Sequence, residues 1–278
     1  MRFGYSAECL EHDPGSRHPE SPDRLRAIRR ALAKRHGVEY VEADPIDEAA
    51  AGAAHDPEYV REFREFCASG GGQWDPDTVA VEATWDAALR SAGQAVWVAE
   101  AALDGASGRE TPFALGRPPG HHAVADDAMG FCFLNNAAIA AQSTIDDGRA
   151  ERVAIVDWDV HHGNGTQDVF DGRGDVFYAS IHERGFDAHE HDPISRMSVS
   201  TEGYGVLAAR LRDLAARSDA GFGFVLEGGY GLETLSESIT TVNEVFGGYE
   251  PVEPEGSVDD RAQSVIEEVR TAHGLGAK

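Results

Sequence analysis

"RVAIVDWDVHHGNG", residues 152–165, decides the architecture. A near-continuous apolar run from Val153 to Val156 passes into a polar loop holding Gly163 and Gly165. Strands covered on both faces read as unbroken apolar runs, whereas half-exposed strands alternate. The stretch therefore predicts a buried parallel strand with chemistry at its carboxyl edge. "DVFYASIHE" (175–183) and "FGFVLEGGY" (222–230) repeat the pattern, and "GYGVLAARLRDLAARS" (203–218) between them reads as a helix. Strands alternating with helices indicate an α/β fold around a parallel sheet.

The N-terminal half supplies more helices. "ESPDRLRAIRRALAKRH" (20–36) places Leu25, Ile28 and Leu32 on one face, and "HDPEYVREFREFCA" (55–68) has Pro57 positioned to begin a helix. Residues 79–104 read as a long Ala-rich helix or a helix pair interrupted near Gly93. "TPFALGRPPGHHA" (111–123) is an apolar run broken by a Pro-Pro-Gly turn, and "FLNNAAIAAQSTIDDG" (133–148) is a helix closed by Gly148. No repeat or linker divides the chain, so residues 1–278 are expected to form one domain, with a looser tail after about residue 247.

The net charge is −25, and Lys34 and Lys278 are the only lysines. Acid spread along the whole chain suits a surface that stays soluble in strong brine, the alternative being attraction of a cationic partner. Direct nucleic-acid binding, which needs clustered Lys and Arg, is not expected. Cys9, Cys67 and Cys132 lie far apart without a CxxC, which points to a reducing cytoplasm rather than a disulfide framework. No apolar run of eighteen residues and no leader-like start is present, so neither membrane insertion nor secretion is expected. Oligomeric state is not readable.

Three strand ends carry unusual polar groups, and open α/β sheets bind ligands at the carboxyl ends of their strands. In an extended "VDWDVHHGNG" (156–165), Asp157, Asp159 and His161 alternate onto one face. Such a nitrogen–oxygen donor set suits zinc, with iron or manganese as alternatives. The competing reading is a strand-end Asp capping the next helix beside incidental histidines. In "RPPGHHA" (117–123), His121 and His122 sit in a turn where each imidazole can have its own partner, with Asp157 and Asn164 available. A catalytic histidine needs such a partner to fix its tautomer; alone, the pair is ordinary turn chemistry. In "LEGGYG" (226–231), Tyr230 could donate to a developing oxyanion, though Gly-Gly-Tyr is also common loop chemistry. "GFCFLNN" (130–136) offers Phe131 as an apolar wall and Asn135 as a cap, or simply core packing.

Taken together, "RPPGHHA", "GFCFLNNAAIAA", "VDWDVHHGNGTQDVF", "SIH", "GFDAHEHDP" and "LEGGY" resemble the histone deacetylase superfamily. The resemblance is strongest to its class II branch and to acetylpolyamine amidohydrolases, and "RHPESPDRL" and "AHDPEYV" extend it toward the N-terminus. It implies an arginase/deacetylase-like three-layer α/β fold with a mostly parallel central sheet. It also implies a zinc-dependent hydrolase removing acetyl groups from acetylated lysine in proteins or from a small polyamine-like acetylated amine. Carried over by motif, Asp159, His161 and Asp187 would hold zinc, which would acidify a water and polarise the amide. His122 would move the proton, oriented by Asn164, while His121 paired with Asp157 would give electrostatic support. Tyr230 would bond the oxyanion, and Phe131, preceded by Gly130, would wall the channel. A structural potassium is implied near Asp157, Asp159, His161 and Ser180.

One departure stands out. In "SIHERGFDAHEHDPI" (180–194), only Glu183 and Arg184 separate two motifs that relatives hold several dozen residues apart. One strand–helix unit is therefore expected to be missing, and a parallel crossover normally needs a dozen or more residues. Either the strand "DVFYASIH" takes over the missing slot and Asp187 still reaches the metal, or Asp187 hangs in a displaced loop beside a two-ligand site. A decayed or truncated gene product is the third reading. The functional alternatives are a deacetylase-like pseudoenzyme serving as a binding module and an arginase-like ureohydrolase. His189 and His191 are expected at the surface.

Overall fold

In chain order the elements are β1 (Arg2–Gly4), α1 (Asp23–Leu32), β2 (Glu39–Val41), α2 (Glu48–Ala51), α3 (Pro57–Ala68) and β3 (Gly71–Gln73). There follow β4 (Val79–Val81), α4 (Thr84–Leu103), β5 (Pro112–Ala114), α5 (Asn136–Asp146), β6 (Val153–Asp157) and α6 (Asn164–Phe170). The last are β7 (Val176–Ser180), α7 (Thr201–Arg217), β8 (Phe224–Val225), α8 (Leu232–Val245) and α9 (Asp260–Ala272). This computed structural model describes residues 1–182, 199–253, 258 and 260–272. Asp187, His189 and His191 lie outside the described residues.

Local chemistry explains most boundaries. Pro57 opens α3 where Asp56 caps it, its carboxylate accepting from Glu58 N at 2.7 Å, and Tyr59, Val60, Phe63 and Cys67 form its buried stripe. Asn135 caps α5 by accepting from Ala138 N at 3.1 Å, and Gly148 follows the helix with φ +66°. A glycine takes that left-handed conformation without steric penalty. The helix over 79–104 is corrected in two respects. Val79–Val81 is a strand, paired antiparallel with β3, and α4 runs through Gly93 without interruption. Gly93 marks a close approach instead of a break, since a Cβ there would run into the Asp44 carbonyl.

The central sheet is parallel and discontinuous. Four strands follow the order β2-β1-β5-β8, and β6 pairs separately with β7 from Val153↔Val176 to Asp157↔Ser180. Helices cover both faces. Phe63, Phe133, Leu134, Ile139 and Val176 belong to the core under α3, α4 and α5, while Phe3, Leu25, Ile28, Phe224 and Ile239 belong to the core under α1, α7 and α8. Among the described residues no ladder joins β8 to β6. Near the carboxyl ends of the strands Gly228 N donates to Asp159 Oδ2 at 2.9 Å, and the Trp158 ring lies 5.9 Å from Phe224 of β8. The strand β7 therefore does not take over a slot beside β8; it forms its ladder with β6. On one face of the β6–β7 pair Ala154 is exposed, as are Val156 at 37%, Phe177 at 54% and Ile181 at 52%.

Candidate active site

The loops after β5, β6 and β8 converge, which is where a parallel sheet presents its ligand site. His121 and His122 stand side by side with ring centroids 4.1 Å apart, yet their surroundings oppose each other. His121 is buried with Nδ1 2.9 Å from Asp157 Oδ2. Burial works against its charged form, but the carboxylates of Asp159 and Asp157, the bond to Asp157, and Glu227 prevail and raise it to about 10. His122 is lowered to about 4, first by desolvation and then by the charge on His121. Its Nδ1 lies 2.7 Å from Asn164 Oδ1, and Asn164 Nδ2 donates to the His122 carbonyl at 3.3 Å and faces Met129 Sδ. With its amide thus oriented, Asn164 accepts from Nδ1–H, and Nε2 of His122 keeps a lone pair. Neighbouring groups with pKa values pushed apart are a mark of acid–base sites.

Asp159 is buried and faces the same space. Its Oδ1 accepts from His161 N at 2.8 Å and lies 2.9 Å from His161 Nδ1, and Oδ2 takes the Gly228 N–H. Burial raises its carboxyl, but His121 and His161 outweigh this and hold it well below the usual range. Carboxylate and imidazole are donor types that suit a divalent cation. Among the described residues no group of three or more His, Cys, Asp or Glu could hold a metal, and the expected third ligand, Asp187, falls outside them. Ile181 N donates to the Asp157 carbonyl at 3.0 Å, and Ser180 Oγ sits 2.8 Å from His182 Nδ1.

Beside these groups, the rings of Phe131 and Tyr230 meet edge to face at 5.7 Å, and His18 lies 4.6 Å from Phe131. Phe131 has φ +70°, uncommon for a bulky residue and typical of strain kept at functional sites. Gly130 before it has φ +57°, and a Cβ there would press on the His122 ring.

Several residues near this site were not found by sequence reasoning. Tyr178 donates its hydroxyl to Asp157 Oδ2 at 3.0 Å. Glu227 Oε2 accepts from Gly120 N at 2.7 Å and His121 N at 3.1 Å, while Oε1 is buried without a hydrogen-bond partner among the described residues. Desolvation raises the Glu227 carboxyl to about 7, against the pull of His121. Fully buried Arg24 donates to the carbonyls of Gly229 (2.8 Å), Glu227 (2.6 Å) and Gly228, and its guanidinium lies 5.1 Å from the Tyr230 ring centroid. Glu20 holds Arg24 at 3.3 Å and Arg117 at 2.6 Å, tying the "RPPGHH" loop to the "LEGGY" loop. The spacing of Glu20 and Arg24, four apart on an otherwise apolar face, was the available signal.

The family model for the histone deacetylase domain matches residues 18–184 and 183–246, in two pieces that meet at Glu183–Arg184. The histone deacetylase-like amidohydrolase of Pseudomonas aeruginosa is 27% identical over 334 residues, which take in 93% of this chain and 87% of that protein. Since 93% of 278 residues is about 259, roughly 75 of those aligned positions have no counterpart here. The acetylpolyamine amidohydrolase of Mycoplana ramosa is 50% identical over 115 residues, 41% of this chain and 33% of that protein. The crystal structure of the HDA15 HD domain superposes with a TM-score of 0.80 at 30% identity, covering 90% of this chain and 91% of that one.

Proposed function

This chain belongs to the histone deacetylase family, and we propose that it is a metal-dependent hydrolase that removes the acetyl group from acetylated lysine or an acetylated polyamine. The observation that carries this reading is the split between adjacent histidines, one held charged and its neighbour neutral. Neutral His122, with its tautomer fixed by Asn164, is placed to take a proton at Nε2 and return it to the leaving amine. Charged His121, anchored on Asp157, favours negative charge developing on the amide oxygen. Tyr230 would donate to that oxygen, and Phe131 would line the path of the aliphatic stem. Asp159 and His161, with Asp187 as the third ligand, would hold a zinc ion whose contribution is Lewis acidity toward the amide carbonyl.

The test is release of acetate from an acetyl-lysine peptide and from an acetylated polyamine, in high salt, with and without added zinc. Turnover that disappears in Asp159→Ala supports the proposal, and no turnover above that variant on either substrate refutes it. A second reading, a pseudoenzyme kept as a binding module, draws on the break between β8 and β6 beside the metal-facing residues. One zinc held tightly per chain through exhaustive dialysis would count against it.

A further inference from the structure

The most basic stretch of this acidic chain covers α1. Residues 24–35 hold Arg24, Arg26, Arg29, Arg30, Lys34 and Arg35 and no Asp or Glu, although the whole chain has 49 acidic residues against 24 Lys and Arg. Arg24 turns inward to the site loops, and Arg35 pairs with Glu244 at 2.8 Å. Arg26, Arg29 and Arg30 stay exposed. Spaced three and four apart, they share one face of the helix, where like charges are destabilising. A surface kept soluble by acid has no need of that arrangement. The three arginines line an open groove of about 460 Å³ together with Tyr5, Leu10 and Tyr40, a volume within the range of small-ligand sites. Tyr5 follows β1, and Tyr40 belongs to β2, the edge strand farthest from β8.

The groove is ordered by its own side chains. The Arg29 guanidinium lies 4.0 Å from the Tyr5 ring centroid and 5.1 Å from that of Tyr40, and the two rings meet edge to face at 6.0 Å. Stacking fixes the plane of a guanidinium and leaves its N–H edge free to donate. Arg26 has an exposed pair with Asp23 at 3.0 Å, the kind that contributes little. Arg30 pairs with no carboxylate among the described residues. Glu39, next to Tyr40, is 3.6 Å from Arg2. We propose that this groove binds a small phosphate ester with a planar organic part. The three guanidiniums take the phosphate, whose oxygens match their forked donors, and the ring rests against Leu10 and Tyr40, which is 38% exposed. None of the lining residues is among the candidate active-site groups, so occupancy does not depend on the deacetylase chemistry.

Isothermal titration calorimetry of the full chain with phenyl phosphate, AMP, inorganic phosphate and adenosine tests this. It is run with EDTA, so that no phosphate binds through a metal elsewhere, and at the lowest salt that keeps the protein folded by circular dichroism. One site is expected, with at least one ester binding about tenfold tighter than inorganic phosphate or better. Phenyl phosphate tighter than AMP assigns recognition to a simple ring, and the reverse to a nucleoside. Arg26→Gln/Arg30→Gln, at exposed positions where Gln is helix-compatible, should weaken the esters by about tenfold or more, as expected for losing a charge-assisted hydrogen bond. Tyr40→Ala should bring the esters down to the level of inorganic phosphate. Arg210→Gln/Arg212→Gln takes the same charge from α7 and should leave binding unchanged. Absence of binding by both esters overturns the proposal, as does equal affinity for the esters and inorganic phosphate, or for AMP and adenosine. So does binding that survives the α1 double substitution, or that the α7 double substitution weakens as much.

Discussion

Gly163→Ala is the sharpest probe of the buried half of the site. A Cβ at that position would lie 3.0 Å from His121 Nδ1 and roughly 1 Å inside ordinary contact with both Asp157 Oδ2 and the Tyr178 hydroxyl. All three neighbours are held by one another, through bonds of 2.9 Å and 3.0 Å centred on Asp157 Oδ2. A shift of about 1 Å by the carboxylate takes both bonds past hydrogen-bonding distance. Overpacking costs about 1–3 kcal/mol, and a weakened charge-assisted bond adds about 1.5–3 kcal/mol when lost outright. With partial relaxation the expected loss is about 2–4 kcal/mol, read from urea unfolding at neutral pH. The same displacement takes Asp157 away from His121, so the His121 imidazole should titrate lower by NMR. A variant within about 0.5 kcal/mol of wild type, with His121 titrating unchanged, would refute the packing argument.

Other substitutions separate the remaining roles. Glu227 and His121 both carry folded-state values above their ordinary ones of 4.5 and 6.5, so each contributes stability on the acid side that is lost as pH rises. Urea midpoints should fall in two stages, through about 7 for Glu227 and about 10 for His121, and Glu227→Gln should remove the first stage alone. In kcat/KM, the acid limb should lie near the His122 value of about 4, well below that of a free histidine. Arg24→Met leaves three loop carbonyls without their donor and removes the cation beside the Tyr230 ring, so kcat should fall more than tenfold with a smaller change in KM. Asp159→Asn and Asp159→Ala should both lose metal, measured by elemental analysis. Asn, which still offers an acceptor to the Gly228 N–H, should unfold at higher urea than Ala.

Legibility in the sequence followed the range of the interaction. Caps and periodic stripes were readable because they are local: Asn135 and Pro57 sit where α5 and α3 begin. Gly93 misled because a glycine inside a helix reads as weakness, whereas its reason lies at Asp44, far away in sequence. The residues alone offered Asp157 and Asn164 as partners for the two histidines without assigning them; the pairing of His121 with Asp157 and of His122 with Asn164 came from the family resemblance, and the structure has both bonds. Glu227 was not, because its role depends on two backbone N–H groups delivered from another loop. Nothing in "LEGGY" distinguishes such an acid from an exposed one. Arg24 showed only its spacing from Glu20, because the partners that place it in the site are loop carbonyls, which carry no side-chain signature.

The site straddles the break in the sheet, and this explains why its polar residues are so heavily bonded. His121 and Glu227 come from loops of the four-stranded sheet, Asp157 and Asp159 from the end of β6. In an unbroken parallel sheet, ladder bonds would fix those edges relative to each other, independently of the chemistry. Here bonds of the site itself are among those that cross the break: Asp159 with Gly228 and His121 with Asp157, beside Asn135 with Thr166. Buried charged groups so arranged are expensive to leave unpaired, which makes them effective at holding two bodies in one register. The same bonds then carry both the geometry of the candidate site and cohesion. Substitutions at Asp157 or Asp159 should therefore move activity and stability together, whereas Phe131 and Tyr230, outside these cross-break bonds, should be separable from folding.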